Sequence, residues 1–384
     1  MFPRTSDSWA RDLRCSRDDH RAPLDEPAFL SPEGVPWLVS YDLDRQRGAS
    51  FKEALSRRPW TLWRYRELLP LADFDRRIDL GEGGTPLITL NHRPGGARLV
   101  VKEEGGNPTG SFKARGLSLA VNRARELGAP GVELPSAGNA ALALSAYAAA
   151  AGLPARVAVP GDTPATVLRR CREHGAEVLT SSGTLVEAAG RLAEDDRGYW
   201  NLSTLKEPYR AEGKKTMGLE LAEQLDWQLP DWIVYPTGGG TGIVGMAKAF
   251  DELEALGLIG SHRPRFVVVQ MAGCAPLVRA FEAGAERAET WANPHTEVWG
   301  LRVPKAIGDF IILNALRRTN GLALAIAEDR LPAITDQVAR TEGVRLGPEG
   351  AACWAAIEDL AEAGEVQAGQ QVVLFQTGNP DNYL

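Results

Sequence analysis

The sequence predicts an α/β protein made of open, twisted, mostly parallel sheets flanked by helices. Three observations carry that prediction. Apolar runs of strand length recur along the chain, helix-length segments separate them, and two glycine-rich turns stand where a strand gives way to a helix. Strands buried on both faces read as continuous apolar runs, and that is the form seen here.

In chain order, residues 1–75 are mixed in Arg, Asp, Trp and Pro and read as an appended N-terminal segment. Within it TLWRYRELL (61–69) predicts a short amphipathic helix, with Trp60, Trp63 and Tyr65 packing the segment onto the large body. Strands are expected at 97–104 (ARLVVKEE), 156–161 (RVAVPG), 232–238 (WIVYPTG), 265–271 (RFVVVQM) and 371–378 (QVVLFQTG). Helices are expected at 114–127, 140–153, 163–174 and 185–193.

Composition narrows the function. Hydrophobic residues at 44% and charged residues at 24% fit a globular chain with a large core. The net charge of −7, with both signs interspersed, lacks the clustered positive charge that holds a nucleic-acid backbone. No apolar targeting stretch precedes residue 15, and the Ala-rich run at 140–153 is too short to span a bilayer, so a soluble cytoplasmic protein is expected. Cys15, Cys171, Cys274 and Cys353 form no CxxC pair, which argues against a disulfide framework or a structural zinc site. His20, His92, His174, His262 and His295 show no metal-ligand spacing, so no metal is expected. Glu103 and Glu104 read as paired surface acids, and the absence of G-x-S-x-G and Walker motifs leaves hydrolase and nucleotide-triphosphatase readings without support.

The two turns are PSAGN (135–139) and PTGGGTG (236–242), each offering bare N–H groups at a helix start, where an anion is stabilised. Gly240, Gly242 and Gly245 also satisfy G-x-G-x-x-G, so a dinucleotide site is one reading. Such a site wants an acid at the end of the next strand, and Gln270 stands there instead, which favours a monophosphate cradle. NPTGSFKARG (107–116) places Lys113 at a helix start behind Pro108, Gly110, Ser111 and the apolar Phe112. A lysine whose pKa is lowered by burial or a neighbouring cation attacks carbonyl carbon, and the aldehyde of pyridoxal phosphate (PLP) is its commonest partner.

NPTGSFKARG, PSAGN, GGGTG and QTGN (376–379) follow the order of fold-type-II PLP enzymes, and the chain resembles their threonine synthase branch. GEGGTPLITL (81–90), TLWRYRELLP (61–70) and NLSTLKEPYRAEGKKT (201–216) are similar to that branch too, so the resemblance runs from about residue 60 to 384. It implies a tryptophan synthase β-like architecture in which a small α/β domain (110–210) is inserted in a large PLP-binding domain (76–109 plus 211–384). It also implies PLP as cofactor, a small amino acid as substrate, and a homodimer.

By the same resemblance Lys113 is the Schiff-base lysine and proton carrier, preceded by Phe112, and Asn139 donates to the cofactor's 3'-hydroxyl. Thr237, Gly238, Gly239, Gly240 and Thr241 cradle its phosphate, and Thr377 bonds the pyridine nitrogen. Ser136, Ala137 and Gly138 offer N–H groups to the substrate carboxylate, while Ser203 and Arg210 hold the substrate phosphate. The reaction implied is O-phospho-L-homoserine plus water to L-threonine plus phosphate. The chain departs from the branch at Ala140, where Thr is common, at Gly242, where Asn is common, and at Cys15, which stands without a second N-terminal cysteine. Two other readings are a threonine/serine ammonia-lyase or β-replacement enzyme of the same type, and a dinucleotide-binding module in which Lys113 is structural.

Overall fold

The computed structural model describes residues 7–383. The N-terminal stretch holds β1 (Ala10–Cys15), β2 (Arg21–Ala22) and β3 (Trp37–Tyr41), paired antiparallel in the order β2-β1-β3. Helix α1 (Arg45–Leu55) follows, its start capped by Asp44, whose carboxylate accepts from the Arg47 N–H. The helix expected at 61–69 is a 3-10 helix over Leu62–Leu68, with Tyr65 outside helical geometry. Its residues point two ways. Tyr65 and Leu68 join the core of the large sheet, whereas Leu62 and Trp63 join the core of the small one. The segment therefore packs on both bodies rather than on the large one alone. Trp60, expected to pack inward, is 48% exposed, its ring covered by the Arg64 guanidinium 3.9 Å away.

The chain then lays down β4 (Leu87–Thr89), β5 (Arg98–Glu103) and α2 (Lys113–Glu126). It continues into β6 (Val132–Pro135), α3 (Asn139–Ala151), β7 (Ala155–Pro160), α4 (Ala165–Glu173), β8 (Glu177–Ser181), α5 (Leu185–Glu194) and β9 (Trp200–Asn201). Strands β6 to β9 make a four-stranded parallel sheet in the order β8-β7-β6-β9. Helix α6 (Tyr209–Gln224) carries the chain back to β10 (Trp232–Pro236), α7 (Thr241–Ala255), β11 (Arg265–Met271), α8 (Pro276–Glu282) and α9 (Asp309–Arg318). Last come β12 (Leu322–Ile326), α10 (Leu331–Glu342), α11 (Pro348–Glu362) and β13 (Gln371–Gln376).

The second sheet runs β12-β11-β10-β13-β5-β4, parallel throughout except for the antiparallel edge strand β4. Its central strand β10 is buried at all five positions, as its unbroken apolar run requires. Turns 135–139 and 236–242 leave the carboxyl ends of β6 and β10, where crevices open in such sheets. Among the described residues no helix is long and apolar enough to cross a membrane.

Candidate active site

The loop before Lys113 is stitched to the turn after β13. The Phe112 N–H donates to the Thr377 carbonyl at 3.0 Å, the Asn379 N–H donates to the Gly110 carbonyl at 2.8 Å, and Ser111 forms an isolated bridge with Gly378. Gly110, at φ 74, is needed because a Cβ there would lie 2.5 Å from Asn382 Oδ1. Lys113 is thus delivered to the first position of α2 with its Nζ 4.4 Å from the Phe112 ring centre. Burial pulls its pKa down to about 7, the positive charge of Arg210 pulls the same way, and Glu349 opposes them.

A second lysine, which sequence reasoning passed over, lies on the same ring. Lys214 Nζ is 3.4 Å from the Phe112 ring centre and donates to the Phe112 carbonyl. Among the described residues no carboxylate lies within 4.0 Å of it. Its neighbour Lys215, by contrast, pairs with Glu212 at 2.7 Å and Glu252 at 2.8 Å. Burial, then the charges of Lys113 and Arg210, hold the Lys214 amine well below the usual lysine range. In sequence, KK in a helix reads as a solvated pair, so no signal separated the two.

The PSAGN turn differs in detail from expectation. The Ser136 N–H donates to the Ala158 carbonyl at 3.0 Å, inside the small sheet, and the Gly138 N–H faces Ser136 Oγ at 3.3 Å. Both are committed, so they are not open to a carboxylate. The N–H groups of Ala137, Asn139 and Ala140 have no acceptor among the described residues and cluster at the start of α3. Asn139 itself is buried, and its Nδ2 would touch a Cβ on Gly378 at 3.0 Å. Asn139, Phe112 and Thr377 therefore converge.

At the start of α7 the Thr237 N–H donates to Val269 O at 2.8 Å and its hydroxyl to Tyr235 O at 2.9 Å, so Thr237 anchors the loop rather than offering donors to a ligand. The N–H groups of Gly238, Gly239, Gly240 and Thr241 find no acceptor among the described residues. Side chains are excluded at these positions. A Cβ on Gly238 would meet Gly300 O at 2.5 Å, one on Gly239 would meet Thr204 at 2.6 Å, and Gly240 has φ 73. Gln270, which takes the place of the acid a dinucleotide site wants, is buried. It donates to the Thr237 carbonyl at 3.1 Å and accepts from the Leu277 N–H at 2.9 Å, bracing the loop. Gly242 faces the Tyr235 hydroxyl, which a Cβ would approach to 2.1 Å.

Arg210 sits in the first turn of α6, 2% exposed, donating to the Leu202 carbonyl at 2.7 Å. No carboxylate among the described residues lies within 4.0 Å of its guanidinium, and its Nε has no partner. Glu207 beside it accepts the Tyr209 and Arg210 N–H groups, and burial raises its carboxyl to about 7. Ser203 Oγ is likewise buried without a partner. Ser203 and Arg210 thus present unspent donors, with Thr204 adjoining the α7 loop.

Glu349, in the first turn of α11, is a further group the sequence did not betray, since an acid after Pro at a helix start looks like ordinary dipole complementation. It is buried with its carboxyl pushed up by burial, and it faces Lys113. Glu104 is a correction. Expected on the surface, it is fully buried and accepts from Arg115 Nε at 2.7 Å. Arg115 also donates to Glu220 at 3.0 Å, and Glu220 takes Lys102 Nζ at 2.5 Å and the Gly84 and Thr85 N–H groups at 2.8 Å. This fully buried network ties the GEGGTP loop, β5 and α6 to α2 two residues past Lys113. The site as a whole offers the groups that a ligand with an aldehyde and a phosphate would need: a near-neutral amine, a glycine loop of open N–H groups, and polar ends at Asn139 and Thr377.

Residues 78–378 match the family model described as pyridoxal-phosphate dependent enzyme. The chain is 32% identical to threonine synthase of Methanocaldococcus jannaschii, over 95% of this chain and 91% of that one. It is 35% identical to threonine synthase of Methanosarcina acetivorans, over 83% of this chain and 79% of that one. Among solved structures it is similar to a T.th. threonine deaminase, with a TM-score of 0.63 and 27% identity over 78% of this chain and 94% of that one. Maize serine racemase, at 20% identity and a TM-score of 0.66 over 90% and 94% of the two chains, shares the fold.

Proposed function

Because this chain belongs to the pyridoxal-phosphate dependent enzyme family, and its residues fit that cofactor, we propose that it is a threonine synthase. It would convert O-phospho-L-homoserine and water to L-threonine and phosphate. The curated relatives carry that name, and one observation supports it here. Arg210 and Ser203 are buried with donors unspent, and Arg210 is close enough to Lys113 to depress its amine. A protein buries a guanidinium without a carboxylate at a cost, which an anionic substrate group offsets on binding.

Pyridoxal phosphate, when bound, supplies the electron sink that makes protons near the substrate's amino-bearing carbon removable. Lys113 would hold the cofactor covalently and then move protons at the substrate carbons, a task suited to an amine near pH 7. The N–H groups of Gly238 to Thr241 would take the cofactor phosphate, the Asn139 amide its ring oxygen and the Thr377 hydroxyl its ring nitrogen. The substrate carboxylate would rest on the N–H groups of Ala137, Asn139 and Ala140. Ser203 and Arg210 would hold the γ-phosphate as its C–O bond breaks; the elements of water then arrive as hydroxyl on Cβ and hydrogen on Cγ. All four cysteines are buried and free, which supports placing the enzyme in the reducing cytoplasm.

A second reading, ammonia loss from threonine or serine, is favoured by Ala140 and Gly242, which bring no polar side chain to the reacting end. Borohydride reduction of the holoenzyme followed by peptide mass spectrometry should place a pyridoxyl group on Lys113, and Lys113→Ala should abolish it. Phosphate and threonine should then form in equal amounts from O-phosphohomoserine. Release of 2-keto acid and ammonia from threonine, without turnover of the phosphorylated substrate, would replace the first reading with the second.

A further inference from the structure

The last turn of the chain reaches back into the site through Asn382, which is 4% exposed. Its amide is oriented by chemistry alone. One end faces Arg170 at 3.1 Å, a guanidinium that only donates, so that end is the oxygen. The other end faces the carbonyls of Thr109 and Gly110, both at 3.1 Å, which only accept, so that end is the nitrogen. The same nitrogen lies 2.6 Å from the Asn139 amide, whose facing atom must then be its oxygen. Asn139 is left with its NH₂ turned away from Asn382, toward Gly378.

We propose that Asn382 is a positioning residue, which fixes the Asn139 amide so that an N–H, rather than a carbonyl, meets the ring oxygen of the cofactor. The inference rests on the PLP reading above and adds a residue to it. Without the Asn382 donor, the Asn139 amide would be free to invert and set oxygen against oxygen. The placement also links separate parts of the fold, since Arg170 stands on α4 beside the small sheet while Thr109 and Gly110 belong to the loop that delivers Lys113.

The test uses the full-length holoenzyme with Asn382→Ala, Asn139→Ala and the double variant. Cofactor retained per chain is measured by equilibrium dialysis, and the visible absorbance band is followed against pH. Asn382→Ala should weaken retention roughly five- to tenfold, the worth of one buried hydrogen bond to a polar group, and should shift the pH dependence of the band. In the Asn139→Ala background the same change should alter retention less than about twofold, because positioning acts only through Asn139. Wild-type retention in Asn382→Ala, or a full additional loss in the double variant, overturns the proposal. Should Asn382→Ala fail to fold, Asn382→Asp keeps the shape of the side chain and removes its donor to Asn139. It should weaken retention in the same direction by about two- to threefold, and no change overturns the proposal equally. A wild-type chain lacking a pyridoxyl adduct on Lys113 sinks both readings, while an adduct with unaffected Asn382 variants sinks this one alone.

Discussion

Replacing Arg210 with Met should impair turnover of a phosphorylated substrate while leaving the fold intact or strengthening it. The guanidinium is 2% exposed, has no carboxylate within 4.0 Å among the described residues, and gives one hydrogen bond, to Leu202 O at 2.7 Å. Hydrogen bonds to a charged partner are worth about 1.5–3 kcal/mol, so losing the phosphate contact should raise KM for O-phosphohomoserine by roughly 10- to 150-fold. On the stability side the variant forfeits about 1 kcal/mol for the Leu202 bond, and it relieves a buried charge whose desolvation costs several kcal/mol. The pH profile supplies a third signature. Arg210 helps hold the free Lys113 amine near pH 7, so its removal raises that pKa and moves the acidic limb of kcat, which reports the amine once substrate has released it, to higher pH. Steady-state kinetics from pH 6 to 9, cofactor titration and thermal melting measure all three. A KM within twofold of wild type would refute the phosphate assignment. A variant that melts far below wild type would refute the claim that the charge is held against the fold's interest.

Two other substitutions test the groups around it. Glu220→Gln leaves Lys102 and Arg115 with Glu104 as their remaining buried counter-charge, and should destabilise the chain by about 3–5 kcal/mol in urea unfolding; a loss under 1 kcal/mol would mean the network is not charge-balanced. Glu207 has a folded-state pKa of about 7, above its unfolded value, so its protonated form is the one folding favours. Its contribution, up to about 3 kcal/mol, is present below pH 4.5 and lost as pH rises through 7, so Glu207→Gln in the cofactor-free protein should flatten the fall in stability over that window. An unchanged slope would show that the carboxyl is already ionised.

What the sequence disclosed and what it hid divide along physical lines. The strand at 265–271 stands where its apolar run placed it, and the other four expected strands differ at their ends by one or two residues, because parallel strands buried on both faces leave an unbroken signature. The glycine turns were legible for a related reason: positive φ and close backbone approach admit no other residue. The three-stranded N-terminal sheet was missed, since Arg and Asp break the pattern of β1, β2 is only two residues long, and the apolar start of β3 is too short to stand out. Helix α6 was invisible as a core element, for its buried face carries Arg210, Glu212, Lys214, Lys215 and Glu220. Charges in a sequence read as solvent-facing, and only tertiary pairing reveals otherwise. The same blindness put Glu104 on the surface and overlooked Asn382, whose proposed role depends on four partners distant in sequence.

The buried charges near Lys113 share one electrostatic consequence. Burial drives Lys113 and Lys214 toward the free base, and it drives Glu207 and Glu349 toward the acid. Each of those shifts removes a charge from the neighbourhood of Arg210, whose guanidinium stays protonated in any protein environment. Arg210 is therefore the group of the site least able to lose its charge. In a medium of low effective dielectric such a centre attracts a dianion strongly, and burial, by pushing the neighbouring Glu207 carboxyl up to about 7, weakens the one carboxylate charge set beside it among the described residues. A substrate whose leaving group is hydroxyl would leave that charge unanswered, whereas a phosphorylated one would satisfy it and release the phosphate only when its own charge changes. An arginine that keeps its charge among side chains pushed toward neutrality is thus the arrangement expected of a site that selects substrates by their phosphate.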